Sequence, residues 1–228
     1  MNAFLKRTKY YTKEWCRPKH PPIHTLFIII MCSLVYFTDR NVSLETPPHE
    51  NDPWWVYPAS SVSHWTNIHF TSNMLSIIAF GTLLEIVHGS FASFMIFWYS
   101  CLNGTLWHVA LELERTLYRG ASPGVYGLIG SYLAHVIINW KEAPYKCVWV
   151  TLLILEVINI TILYNTSDVY KTVVAHWSHA FGFIQGALLS IIVLKNMVVH
   201  TWELWVQLIA CVSSAGLIIL SIIIIYTP

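Results

Sequence analysis

Residues 173–194 read VVAHWSHAFGFIQGALLSIIVL. The stretch is 22 residues long and contains no Asp, Glu, Lys or Arg. About 20 apolar residues in a helix cross the hydrocarbon core of a bilayer, so this reads as a membrane span. Within it, His179, Gly182 and Gly186 recur at i, i+3 and i+7 and share one helix face. A glycine stripe lets that face approach a neighbouring backbone closely. The imidazole of His179 is carried on the face that packs. Polar side chains at membrane depth are costly, so such a residue marks a functional-site hypothesis.

The rest of the chain is of the same kind. Of its 228 residues, 55% are hydrophobic and 11% charged, against about 25% charged in soluble domains. Its 11 Trp and 12 Tyr suit the aromatic belts of a polytopic membrane protein. A net charge of +1 gives no reason to expect a nucleic-acid or acidic partner. The cysteines at 16, 32, 101, 147 and 211 lack regular spacing, so neither a disulfide framework nor a zinc site is expected. No metal or organic cofactor is implied. The N-terminus is basic and its apolar run begins far in, so no cleavable signal peptide is expected.

Apolar runs mark further spans at about 23–38, 64–87, 91–110, 122–140, 148–164 and 202–226. The fold class expected is therefore all-α: a polytopic bundle of seven transmembrane helices with no room for a soluble domain. It divides into a basic tail over 1–22, a six-helix core over 23–195 and an additional C-terminal helix over 196–228. Residues 39–63 read as a polar, acidic loop carrying Trp54, Trp55 and Tyr57. With the N-terminus in the cytoplasm, that side holds Lys6, Arg7, Lys9, Lys13, Arg17, Lys19, Lys141, Lys146 and Lys195. The other side holds Arg40, Arg115, Arg119 and Lys171, so the positive-charge bias favours this orientation. The sequons at Asn41 and Asn165 then face away from the cytoplasm, which fits a secretory-pathway or plasma-membrane protein. Seven helices starting inside are opposite to the usual arrangement of G-protein-coupled receptors.

Two further motifs lie at the depth of His179. Gly120-Ala121-Ser122 opens the 122–140 helix, with Pro123 expected at its first helical position, where a missing N–H costs nothing. A helix N-terminus offers free N–H groups and partial positive charge, which can stabilise an oxyanion. Gly120 and Gly124 are expected to thin the backbone and leave space for a substrate strand. His69 and Asn73 share a face of the 64–87 helix and could donate to a tetrahedral oxyanion. A Ser–His pair with His179 as general base then follows in principle. Small residues and buried histidines also serve helix packing alone. The coincidence of three polar motifs at one depth favours chemistry.

Other chemistries fit less well. There is no His-Glu-x-x-His for a metalloprotease. Asp39, Asp52 and Asp168 fall in loops, not in spans as an aspartyl protease needs. Glu85 lies near the cytoplasmic end of its helix and is expected to be structural, and Glu156 has no evident partner. Two intramembrane acids do not make a transport path.

These residues resemble the rhomboid family of intramembrane serine proteases, over about residues 54–195. Gly120-Ala121-Ser122 with the trailing Tyr126 is similar to the family's Gly-x-Ser motif. His64, His69, Asn73 and Met74 resemble its second-helix signature, and Phe80-Gly81, Leu84-Glu85 and His88-Gly89 the end of that helix. His179, Gly182 and Gly186 resemble its sixth-helix motif. The resemblance implies Ser122 as nucleophile and His179 as base. It implies His69, Asn73 and the Ser122 N–H as oxyanion donors, and Tyr126 stacked on His179. Six core helices plus one look like the secretase-type layout. Two departures stand out: Val56 follows Trp55 where the family has Arg, and Pro123 follows the nucleophile where it has Gly. The implied partners are transmembrane protein substrates and the lipid bilayer. A non-catalytic relative that binds client transmembrane segments and controls their trafficking or degradation is the alternative.

Overall fold

The computed structural model describes residues 20–38, 55–64, 66–111, 119–140, 175–196 and 201–227, together with 147, 150, 151, 153–155 and 158. The basic tail to residue 19, both sequons, Glu156 and most of the expected 148–164 span lie outside these residues. Every regular element described is helical. In chain order the longer ones are α1 (Ile23–Thr38), α2 (Asn67–His88), α3 (Ser90–Leu111), α4 (Ser122–Ile138), α5 (His176–Val193) and α6 (Thr201–Tyr226). Two of them, α2 and α6, are by themselves long and apolar enough to cross a membrane, and α1 and α4 are shorter apolar helices.

The surface is apolar and the interior is speckled with small polar groups. Leu26, Phe27, Ile30 and Leu34 of α1 and Leu204, Leu208, Ile209 and Val212 of α6 are exposed. Ser93, Ser100, Asn103, Ser131, Gln185 and Ser214 are buried. A water-soluble bundle has the reverse pattern. In lipid the helices gain by close packing and interhelical hydrogen bonds, because the tails outside are as apolar as the core. The bond from Gln185 Nε2 to Ser214 Oγ, 2.7 Å long, ties α6 to α5 in this way.

Helix α4 is the axis of the bundle, with most of its residues buried. Its glycines set how closely α5 approaches. A Cβ on Gly182 would lie 2.5 Å from Pro123 O, and one on Gly186 would land on the Gly127 carbonyl. A Cβ on Gly130 would land on Phe183 O. The expected stripe on α5 is therefore the contact that brings His179 to the top of α4.

Helix α2 begins at Asn67 rather than His64, because Thr66 caps it: Thr66 Oγ1 accepts from His69 N at 3.1 Å. Midway, Ile77–Gly81 widens into a π-helical turn. The Tyr132 hydroxyl of α4 donates to the Phe80 carbonyl there at 2.8 Å, satisfying a group the altered ladder leaves available. The loop expected to reach residue 63 is in part helical. Val56–Ala59 makes one α-turn and Ser60–Val62 one 3₁₀ turn, with Tyr57 and Ser61 buried against the bundle.

Glu85 is structural, and its partners lie on α1. Its Oε1 accepts from His24 N at 2.7 Å and from Ser90 Oγ at 2.5 Å. Its Oε2 accepts from Thr25 N at 2.8 Å and Thr25 Oγ1 at 2.7 Å. One fully buried carboxylate thus caps the orphan N–H groups of α1 and joins it to α2 and α3. Glu85→Ala leaves buried donors without partners, a cost of about 2–4 kcal/mol. The expected result is a melting temperature lowered by roughly 5–15 °C in detergent. A shift of less than about 2 °C would contradict this role.

Candidate active site

Ser122 is the first residue of α4, following Ala121 as N-cap. Pro123 is therefore second in the helix, not first as the sequence pattern suggested. The register is still compatible with proline, because N–H groups throughout the first turn have no intrahelical acceptor. The bond from Val125 N to Ala121 O, 3.1 Å long, is the first to close the helix. Pro123 sits in a notch cut by glycines on two neighbouring helices. A Cβ on Gly104 of α3 would lie 2.7 Å from Pro123 Cβ, and one on Gly182 would lie 2.9 Å from Pro123 Cα. Proline at this position is thus matched by the space around it.

His179 lies in the first turn of α5. Its Nε2 is 2.8 Å from Ser122 Oγ, although the two residues are 57 positions apart. In the tautomer with its proton on Nδ1, the imidazole accepts the serine hydroxyl proton. Tyr126, one turn below Ser122 on the same face of α4, stacks on the imidazole with ring centroids 4.3 Å apart and planes 14° from parallel. The stack limits rotation of the ring about its bond to the backbone.

Gly120 has φ +137, a conformation that strongly favours glycine. It also has no room for a side chain: a Cβ would lie 2.5 Å from His69 Cε1, 2.8 Å from His69 Nε2 and 3.6 Å from Asn73 Nδ2. His69 and Asn73 therefore flank the turn that carries Ser122. Asn73 is buried and its Nδ2 has no protein partner, so an amide donor is held ready beside this turn. The space expected beside Gly120 and Gly124 for a substrate strand is instead filled. Gly120 receives His69, and a Cβ on Gly124 would lie 2.5 Å from Phe97 Cε2 and 2.8 Å from Cys101 Sγ. These two glycines admit side chains of α2 and α3.

The backbone N–H groups around the nucleophile can be accounted for one by one. Gly120 N donates to Ser60 O at 3.1 Å. Ala121 N donates to His64 Nε2 at 3.4 Å. Pro123 has none. The Ser122 N–H is the one left at this turn to meet a developing negative charge. Ser60 and His64 both come from the segment ahead of α2, so that segment braces the nucleophile turn. Sequence reasoning placed His64 only within a motif and did not assign this bond. A carbonyl such as that of Ser60 leaves no trace in sequence at all.

An apolar cavity of about 660 Å³ opens beside the pair. Tyr126, Ile129 and Leu133 of α4, His179 and Phe183 of α5, and Leu153 line it. It runs from the Ser–His contact about two turns down α4.

A family profile described as Rhomboid domain matches residues 51–196. The chain belongs to the rhomboid family. Rhomboid-related protein 1 of Caenorhabditis elegans is 30% identical over 156 residues, covering 65% of this chain and 42% of the relative. Rhomboid-related protein 2 of Mus musculus is 30% identical over 153 residues, covering 60% of this chain and 49% of the relative. RHOMBOID-like protein 4 of Arabidopsis thaliana is 28% identical over 145 residues, covering 64% and 35%. This rhomboid thus spans less than half the length of these relatives. The profile begins ahead of Trp55 and ends at Asn196, so it includes all six residues singled out above: His69, Asn73, Gly120, Ser122, Tyr126 and His179. Helix α1 and helix α6 lie outside it.

Proposed function

We propose that this rhomboid is an intramembrane serine endopeptidase that cleaves transmembrane segments of other membrane proteins. The observation that carries the reading is the 2.8 Å contact between Ser122 Oγ and His179 Nε2 at a helix N-terminus. Ser122 attacks the peptide carbonyl while His179 takes its proton. The oxyanion is held by the Ser122 N–H, His69 and Asn73. His179 then returns the proton to the leaving amine, and water releases the acyl group. Tyr126 keeps the imidazole in line for both transfers. Gly120 lets the turn pass close under His69. The apolar cavity beside His179 receives side chains of the unwound substrate, which approaches between α2 and the 148–164 segment.

Seven membrane spans, a cytoplasmic N-terminus and residence in the secretory pathway or plasma membrane complete the proposal. The tail over 1–22, the core over 23–195 and the extra helix over 196–228 are its parts. No metal or organic cofactor takes part in it.

The test is cleavage of a single-pass substrate co-reconstituted with the protein in liposomes. Ser122→Ala is expected to reduce cleavage by at least about a thousandfold. Cleavage by this variant at the wild-type rate would refute the mechanism. Absence of cleavage by well-folded wild-type protein across a substrate panel would favour the client-binding alternative.

A further inference from the structure

At the end of the bundle opposite Ser122, three chain segments meet around basic side chains. His20 precedes α1, His88 ends α2, and Lys195 follows α5. Lys195 Nζ is 3.3 Å from His20 Nε2, across a sequence separation of 175. Neither residue is loosely held. His20 N donates to Ile86 O at 3.2 Å, and Lys195 N donates to His88 Nδ1 at 3.2 Å. The His20 ring lies 3.6 Å from where a Cβ on Gly89 would stand. His88 in turn packs edge-to-face on His135, with centroids 5.3 Å apart. Among the described residues no carboxylate contacts Lys195. Of the buried acids near this end, Glu85 is saturated by α1 and Ser90, and Glu203 accepts from Asn196 Nδ2 at 2.6 Å.

We infer that His20 and Lys195 seat the phosphomonoester headgroup of an anionic lipid. A free surface lysine is solvated and mobile, whereas this one is fixed at its backbone and aimed at an imidazole. As it stands, the ammonium donates to His20 Nε2. A phosphate oxygen placed between them accepts from the ammonium. A second oxygen of the same group accepts from the His20 ring in the tautomer that carries its proton on Nε2. A phosphomonoester, with more charge and more free oxygens than the singly charged diester of phosphatidylserine, is the stronger acceptor for the two donors. The position is right for a lipid, because both residues stand just beyond the ends of helices, at headgroup level. The side is right as well: the positive-charge bias puts this end in the cytoplasm, with Lys6, Arg7, Lys9, Lys13, Arg17 and Lys19 immediately ahead of His20.

The test is native mass spectrometry of the full chain with added phosphatidate, phosphatidylserine or phosphatidylcholine. Phosphatidate is expected to bind most tightly. The double substitution His20→Gln with Lys195→Gln should weaken it by roughly 30-fold, at about 1 kcal/mol per basic group. Lys195→Gln alone should give part of that loss, and Lys195→Arg should retain most of the binding. Equal retention of phosphatidate by the double variant would overturn the site and leave any binding to the tail. Equal binding of phosphatidylserine would overturn the phosphomonoester assignment. Displacement of phosphatidate by millimolar inorganic phosphate would make free phosphate, not lipid, the ligand. The same measurement on Ser122→Ala separates this inference from the protease reading, since neither His20 nor Lys195 is near the Ser–His pair.

Discussion

Replacing His179 by Asn is expected to reduce substrate cleavage by about three orders of magnitude or more, with little change in melting temperature. A serine hydroxyl is a weak nucleophile until a base removes its proton, and His179 is the one base within hydrogen-bond reach of Ser122 Oγ among the described residues. Asn can still occupy the space beside Tyr126, but its side chain cannot accept and return a proton. The ring's stacking partner is Tyr126, but the approach of α5 to α4 is set by Gly182 and Gly186 below it. Kinetics should therefore separate from stability. The measurement is initial cleavage rate in liposomes beside a thermal melt of the same preparation. A variant that melts normally and cleaves within about tenfold of wild type would remove His179 from the proton-transfer role.

The second large effect is expected at Gly186, where no chemistry occurs. A side chain there meets backbone: its Cβ would lie 2.5 Å from the Gly127 carbonyl carbon and closer still to the oxygen. Neither partner can move by changing a rotamer, so α4 and α5 must separate. Overpacking of flexible side chains costs about 1–3 kcal/mol, and a clash of backbone with backbone exceeds that range. Gly186→Leu is therefore expected to abolish recovery of monodisperse protein. The control is Gly216→Leu on α6, where nothing lies within 4 Å of the added Cβ and the new side chain points away from the bundle. Size-exclusion profiles of the two variants check the prediction. A Gly186→Leu protein as well behaved as Gly216→Leu would show that the stripe does not hold these helices together.

The two predictions rest on features that differ in how far they could be seen in sequence. Apolar run length marked α1, which spans 23–38 as read, and α6 to within one residue at its start. The spacing of His179, Gly182 and Gly186 announced a packed face, because one helix period relates all three. Pairing that face with Ser122 required only that both helices start on the same side. What escaped were effects with no periodicity. Thr66 moved the start of α2 by capping it three residues after His64. Gly120 and Gly124 looked like space for a substrate, yet sequence cannot say which neighbour fills the gap a missing Cβ leaves; here His69, Phe97 and Cys101 fill it. Glu85 was read as structural, but its partners on α1 lie 60 and 61 residues away, and no local signal links them. The bonds from Gly120 to Ser60 and from Ala121 to His64 belong to the same class of long-range contact. Glu156 and most of the 148–164 span lie outside the described residues.

The most direct test of the central claim is labelling of purified, folded protein with a fluorophosphonate probe, beside Ser122→Ala and His179→Ala. The probe reports only an activated serine, so it needs no substrate to be known. An assembled Ser–His pair predicts labelling of the wild type that is lost in both variants. Labelling that persists in Ser122→Ala, or wild-type protein that folds and yet stays unlabelled, would contradict it.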